Sequence, residues 1–185
     1  MYADILFALW FFLPAALANV APILVARLHI VRRWDAPLDG GRTYHGRQML
    51  GPHKTWRGLV SGLLVATLTF WLQQLAVRQF DWAQSIAEHM DYAMLPALLV
   101  GPLFGLGALG GDAIKSFFKR RRGVHSGGTW VPFDQLDYII GGALAVAPFI
   151  QLRLVQYVWI LAIWFVIHLI SSYVGWLLGL KARPI

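Results

Sequence analysis

Three aspartates stand where apolar sequence gives way to polar sequence, and basic residues crowd each of them. In GGDAIKSFFKRRRG, Asp112, Ser116 and Lys119 fall at i, i+4 and i+7, one helical face if the preceding apolar segment continues as helix. Lys115 flanks that stripe, and Arg120, Arg121 and Arg122 extend its positive field until Gly123 interrupts the pattern. Further on, FDQLD sets Asp134 and Asp137 three apart, on one face at the start of another apolar run. Carboxylates at the ends of two helices suit a hard divalent cation such as Mg2+, which takes oxygen ligands and commonly combines one or two carboxylates with substrate phosphates. Neighbouring Lys and Arg would then hold the remaining phosphate oxygens. A second basic set lies in GPHKTWRG, where Lys54, Thr55 and Arg57 sit at the mouth of a helix N-terminus, a place that favours anions. Its spacing is not that of a Walker A loop.

Plainer readings compete for most of these residues. Arg121 and Arg122 serve equally as interfacial anchors whose long stems snorkel, and Lys54 and Arg57 as topology charges beside an anchoring Trp56. Asp134 and Asp137 fit a capping box. For Asp112 the plain reading is weaker, because nothing about membrane insertion rewards an acid next to an apolar span. The glycine- and proline-punctuated GVHSGGTWVPF suits either a phosphate-approaching loop or an ordinary turn. Asn19, Ser61 and His168, polar within apolar segments, read as packing or helix-relief residues rather than ligands.

The elements that must position these groups are membrane spans. Of 185 residues, 58% are hydrophobic and 14% charged, against about 25% charged in a soluble domain. With no cysteine, disulfides and thiolate metal sites are excluded. Apolar segments occupy 3–26, 58–77, 92–111 and 154–180, and a shorter one, 138–152, spans only if its helix begins within 133–137. The expectation is an all-α polytopic membrane protein, one domain over 1–185, with five transmembrane helices and two long polar loops forming the site. The first span has no basic n-region and is not read as a cleavable signal. Five crossings gather fourteen Lys/Arg on one side, in 27–57, 112–136 and the C-terminus, and leave Arg78 and Arg153 on the other. The positive-inside rule then places the N-terminus outside and the long loops and C-terminus in the cytoplasm. That bias accounts for the +7 net charge, so no nucleic-acid partner is expected.

Taken together, KTWRGLVSG, GGDAIKSFFKRRRGVHSGG and FDQLDYIIGG resemble the CDP-archaeol synthase family, membrane CTP-dependent cytidylyltransferases similar to CDP-diacylglycerol synthases. The likeness runs over nearly the whole chain. It implies transfer of CMP from CTP to a lipid phosphate monoester of the 2,3-bis-O-geranylgeranyl-glycerol 1-phosphate type, giving CDP-archaeol and pyrophosphate for phospholipid biosynthesis. The signature falls on Ser116, Lys119, Arg120, Asp134 and Asp137. On this reading Asp112, Asp134 and Asp137 hold Mg2+ and, with Lys119, form the catalytic set, while Lys54, Thr55, Arg57, Ser116, Arg120 and His125 contact CTP or lipid phosphate. The broader signature has Lys-Asp where this chain has His125 and Ser126, which leaves one phosphate contact weaker and pH-dependent.

A CDP-diacylglycerol-type synthase acting on phosphatidate is the nearest alternative, since both lipid tails ask only for an apolar groove. A CDP-alcohol phosphotransferase fits less well, because DGGR at Asp39 is not followed by further spaced aspartates. A small transporter would place polar groups at mid-membrane, whereas here the charges collect at helix ends. A non-catalytic scaffold would tolerate loss of the acids. A homodimer is compatible with so small a bundle, and no glycine pattern decides it.

Overall fold

The computed structural model describes residues 1–28, 34–87, 90–125 and 128–179. The expected Ser126 departure, and the basic residues at 32, 33, 181 and 183, lie outside them. Helix α1 is Tyr2–Val25, α2 Trp56–Gln79, α3 the short Asp81–Ala87, α4 Ala97–Arg121, α5 Phe133–Val146 and α6 Leu154–Leu177. Between α1 and α2, strands β1 (Thr43–Tyr44) and β2 (Arg47–Gln48) pair antiparallel. The chain is helical, as its apolar segments require.

Among the described residues four helices, α1, α2, α4 and α6, are long and apolar enough to cross a membrane. At 1.5 Å per residue, 24 residues reach about 36 Å, more than a hydrocarbon core of about 30 Å. Helix α5 has only 14 residues, about 21 Å. It does begin at Phe133, the start its span required. The third expected span opens later than 92, because Pro96 bars the residue before it from helix and caps α4 instead. It also ends later, at Arg121, with Gly123 (φ 79°) closing it. That extension carries Asp112 through Lys119 as helix. Helix α1 runs unbroken through Pro14 and Pro22, so Asn19 relieves no break.

Aromatic side chains fill the centre. Phe7, Phe11, Phe12, Phe70 and Phe104 are fully buried, and the Phe12 ring meets Phe104, Tyr138 and Trp164 from three other helices. Tyr and Trp bring polar tips that need partners. The Trp164 indole donates to the Ala8 carbonyl at 3.0 Å, and Tyr138 Oη donates to the Trp164 carbonyl at 3.1 Å, so α1, α5 and α6 are tied by hydrogen bonds as well as packing. Leu64, Leu98, Leu144 and Leu154 point outward, each at least 66% exposed, as lipid-facing side chains do.

Helices α4 and α5 approach backbone to backbone. A methyl group placed on Gly107 would lie 2.4 Å from the Gly141 carbonyl oxygen, and one on Gly111 would lie 2.2 Å from that of Asp137. Only glycine allows this contact, the device by which small residues bring membrane helices together.

The two ends of the bundle differ in chemistry. At one, Arg153 pairs with Asp4 at 2.9 Å, and Gln74 donates to the carbonyls of Tyr92 and Leu95. At the other, the long 35–55 segment folds onto α2 and α4. Leu38 donates to the Lys54 carbonyl and Trp56 to that of Ala36. The hairpin turns through His45 and Gly46, both at positive φ (50° and 71°), the requirement of a two-residue type I′ turn. Asp39 accepts from the Gly41 and Leu50 amides at 2.9 and 2.8 Å. Burial works against its charge, but these backbone donors outweigh it and hold the carboxyl below its ordinary range.

Candidate active site

The register of α4 and the glycine contact with α5 bring all three aspartates to one atom. The Lys115 ammonium lies 3.0 Å from Asp112, 2.9 Å from Asp134 and 2.8 Å from Asp137. Lys119, one turn on, makes two 2.7 Å contacts with Asp134. Lys54, arriving from the 35–55 segment, pairs with Asp112. Three lysines thus neutralise three acids in a cluster whose Asp137 side chain is only 5% exposed.

The sequence treated Lys115 as a flank of the stripe, and the structure makes it the centre. Its i+3 relation to Asp112 was legible, but its contacts with α5 depend on how closely two helices pack. The capping box fails. Pro132 occupies the N-cap of α5, Asp134 accepts from the Trp130 amide at 2.6 Å, and Asp137 from that of Tyr138. Neither acid closes a reciprocal box, which leaves both carboxylates turned to the lysines.

The other expected site residues divide. Thr55 is the N-cap of α2 and accepts from the Gly58 amide at 3.2 Å. With Lys54 it lines a cavity of about 470 Å3 that also includes Asp112, Lys115, Asp134 and Asp137. This volume lies in the range of small-molecule sites. Ser116 and Lys119 are buried on the same helix face. Arg57 does not line the cavity; it is buried against Asp35 at 2.9 Å. Arg120 turns to the Val124 carbonyl and, with His125, Arg47 and Gln48, lines a neighbouring depression of about 370 Å3. His125 is therefore beside the acids rather than among them.

Arg121 has a role that topology alone does not give. Its guanidinium donates to the carbonyls of Tyr44, Arg47 and Gln48 and lies over the Tyr44 and Phe117 rings. Arg122 lies over Trp130 at 5.1 Å. Asn19, read from sequence as relieving a helix break, and His168, read as a bundle residue, both line the large cavity. Apart from His53 and Gly58 its remaining wall is apolar (Pro22, Ile23, Ala26, Leu38, Leu59 and Leu109), and Ile23 is 58% exposed. One cavity therefore joins an ionic floor to an exposed apolar flank of α1.

Among the described residues, no three His, Asp or Glu side chains stand as a ready-made metal cage. The donor chemistry nevertheless fits a hard cation: three carboxylates, all oxygen donors, converge within 3.0 Å of a single positive atom.

A bundle of membrane-length apolar helices whose acids and bases converge at the head of a largely apolar cavity has the layout of an intramembrane enzyme. The comparisons narrow that class. Residues 1–185 match the family described as CarS-like CDP-archaeol synthase. The CDP-archaeol synthase of Thermococcus onnurineus is 33% identical over 184 residues, covering 98% of both chains. That of Methanosphaerula palustris is 34% identical over 182 residues, 93% of this chain and 99% of its own. A solved structure described as an intramembrane enzyme for archaeal membrane lipids biosynthesis superposes with a TM-score of 0.69 at 29% identity, covering 89% of this chain and 92% of that one. The chain belongs to the CDP-archaeol synthase family.

Proposed function

We propose that the protein transfers CMP from CTP to an isoprenoid ether lipid phosphate, and that the Lys–Asp cluster at the cavity floor is where it does so. The observation that carries this reading is the convergence of three carboxylates from two helices beside a cavity that reaches an exposed apolar flank of α1. The family membership and the relatives' names agree with it.

A phosphate oxygen of the lipid forms a new bond to the α-phosphorus of CTP as the bond to the β-phosphate oxygen breaks. Pyrophosphate departs with that electron pair. The lipid phosphate is already ionised near neutrality, so no strong general base is required. The protein must bring two polyanions together and stabilise charge on the departing group. Asp112, Asp134 and Asp137 would hold a divalent cation, which would supply charge neutralisation to the phosphates. Lys54 and Lys119 supply charge-assisted hydrogen bonds to phosphate. Arg120 and His125 suit a more distal part of the nucleotide, given their place in the adjoining depression. The apolar wall from Pro22 to Leu109 receives the lipid stem. Arg57 acts at one remove, fixing the 35–55 segment through Asp35.

The expected orientation follows from the same charges. Arg78 and Arg153 lie away from the cluster end, where Lys54, Lys115, Lys119 and Arg120–Arg122 gather, which supports the polar end facing the cytoplasm with α5 as the fifth crossing. The direct test is pyrophosphate release by purified protein given CTP, Mg2+ and a panel of lipid phosphates. Turnover should require CTP and favour the unsaturated isoprenoid ether over phosphatidate. Equal rates on both lipids would remove the ether specificity, and no CTP-dependent release from any of them would remove the activity.

A further inference from the structure

The cluster is electrically closed. Lys54, Lys115 and Lys119 balance Asp112, Asp134 and Asp137, and Lys115 alone touches all three acids. An ammonium has three N–H donors, and here three carboxylates surround it. Resting on the reading that these aspartates hold the divalent cation, we propose that Lys115 is an internal counterion that occupies the cation's place until nucleotide arrives, so that metal binding is conditional on CTP.

The reason is charge balance at low dielectric. A divalent cation entering alone must displace the Lys115 ammonium and leave it without an anionic partner in a nearly buried site, which is strongly unfavourable. A triphosphate entering alone meets carboxylates. Arriving together, the cation takes the acids and the phosphates give the displaced ammonium a new partner. Each ligand therefore strengthens the other, and linkage makes that strengthening reciprocal. The arrangement also explains how three acids are held together at the edge of a bilayer before any substrate binds. Lys119 cannot substitute, since its ammonium contacts Asp134 and neither Asp112 nor Asp137. Lys115 is accordingly a positioning residue for the cation.

The test measures Mn2+ binding by electron paramagnetic resonance on the detergent-solubilised full chain, with and without CTP and with no lipid substrate present. In the wild type, CTP should tighten Mn2+ binding by about tenfold or more, within the usual span of two-site coupling. K115M should bind Mn2+ without CTP about tenfold more tightly than wild type does, and much of the coupling should vanish. Thermal melting supplies a second readout: EDTA should leave the wild-type melting temperature unchanged and lower that of K115M, with Mn2+ restoring it. K115Q provides the same comparison if K115M does not fold. Nucleotide-dependent Mn2+ binding in wild type, with K115M and K115Q no tighter than wild type, would overturn the counterion role and leave the cation site standing. No Mn2+ binding by any form, with or without CTP, would remove both.

Discussion

Arg47 and Arg121 each grip the other's backbone. Arg47 donates to the Arg121 carbonyl at 2.5 Å, and Arg121 donates back to the Arg47 carbonyl at 3.0 Å. The exchange fastens the β1–β2 hairpin to the last turn of α4, where free helix carbonyls need donors. It thereby fixes the segment that delivers Lys54 to Asp112. Replacing Arg121 with Ala should leave the bundle folded but free the hairpin. Trypsin should then cut after Arg42 and Arg47 several times faster, and the KM for CTP should rise more than kcat falls. Unchanged cleavage would show that the hairpin is held by other contacts.

Asp137 is the most buried of the three acids. Asp137→Asn should lower CMP transfer by about a hundredfold or more, the scale of losing one contact to developing charge. Helical circular dichroism and gel-filtration behaviour should be retained. Normal turnover at limiting Mg2+ would take Asp137 out of the cation site.

The acid-bearing helices depend on their glycines. Gly111→Ala drives a methyl into the Asp137 carbonyl at 2.2 Å and should cost about 1–3 kcal/mol of stability as the helices separate. Gly110→Ala meets nothing within 4 Å and should fall within about 0.5 kcal/mol of wild type. Thermal unfolding of the two variants side by side provides the measurement. Equal melting temperatures would deny the close approach.

Asp39 sets an acid limit on the polar segment. Its folded carboxyl sits below the ordinary range, so its contribution is fully present above the unfolded value of about 4 and is lost as pH falls through the folded one. The Leu50 amide resonance should follow a midpoint below about 4, and Asp39→Asn should abolish that titration. A midpoint at or above the unfolded value would contradict the assigned hydrogen bonds.

The fold and the chemistry were legible to different depths. Helix class, the approximate places of the four long apolar helices and the Asp112–Ser116–Lys119 face follow from apolar length and the 3.6-residue period, both local properties. The Asp134/Asp137 pair was visible as spacing, but its choice of partner was not. Capping and ion pairing use the same residues, and the choice falls to Pro132 at the N-cap and to lysines from another helix. Lys115 was seen and undervalued for the same reason. Arg121 looked like one more charge in a basic run because the hairpin it holds is two residues long on each strand and has no apolar pattern. The delayed start of α4 went unread because Pro96 sits inside an otherwise apolar stretch, and α3 because Asp81–Ala87 falls between the apolar segments.

The glycine seam between α4 and α5 makes those helices a fixed jaw. Asp112, Asp134 and Asp137 are all mounted on it, where the two backbones already touch. The opposing jaw is formed by α1 and α2, which meet the cavity through Pro22, Ile23 and Leu59. On the proposed function, a lipid phosphate would meet the cluster along that apolar wall, while the aspartates stay mounted on the opposite pair of helices.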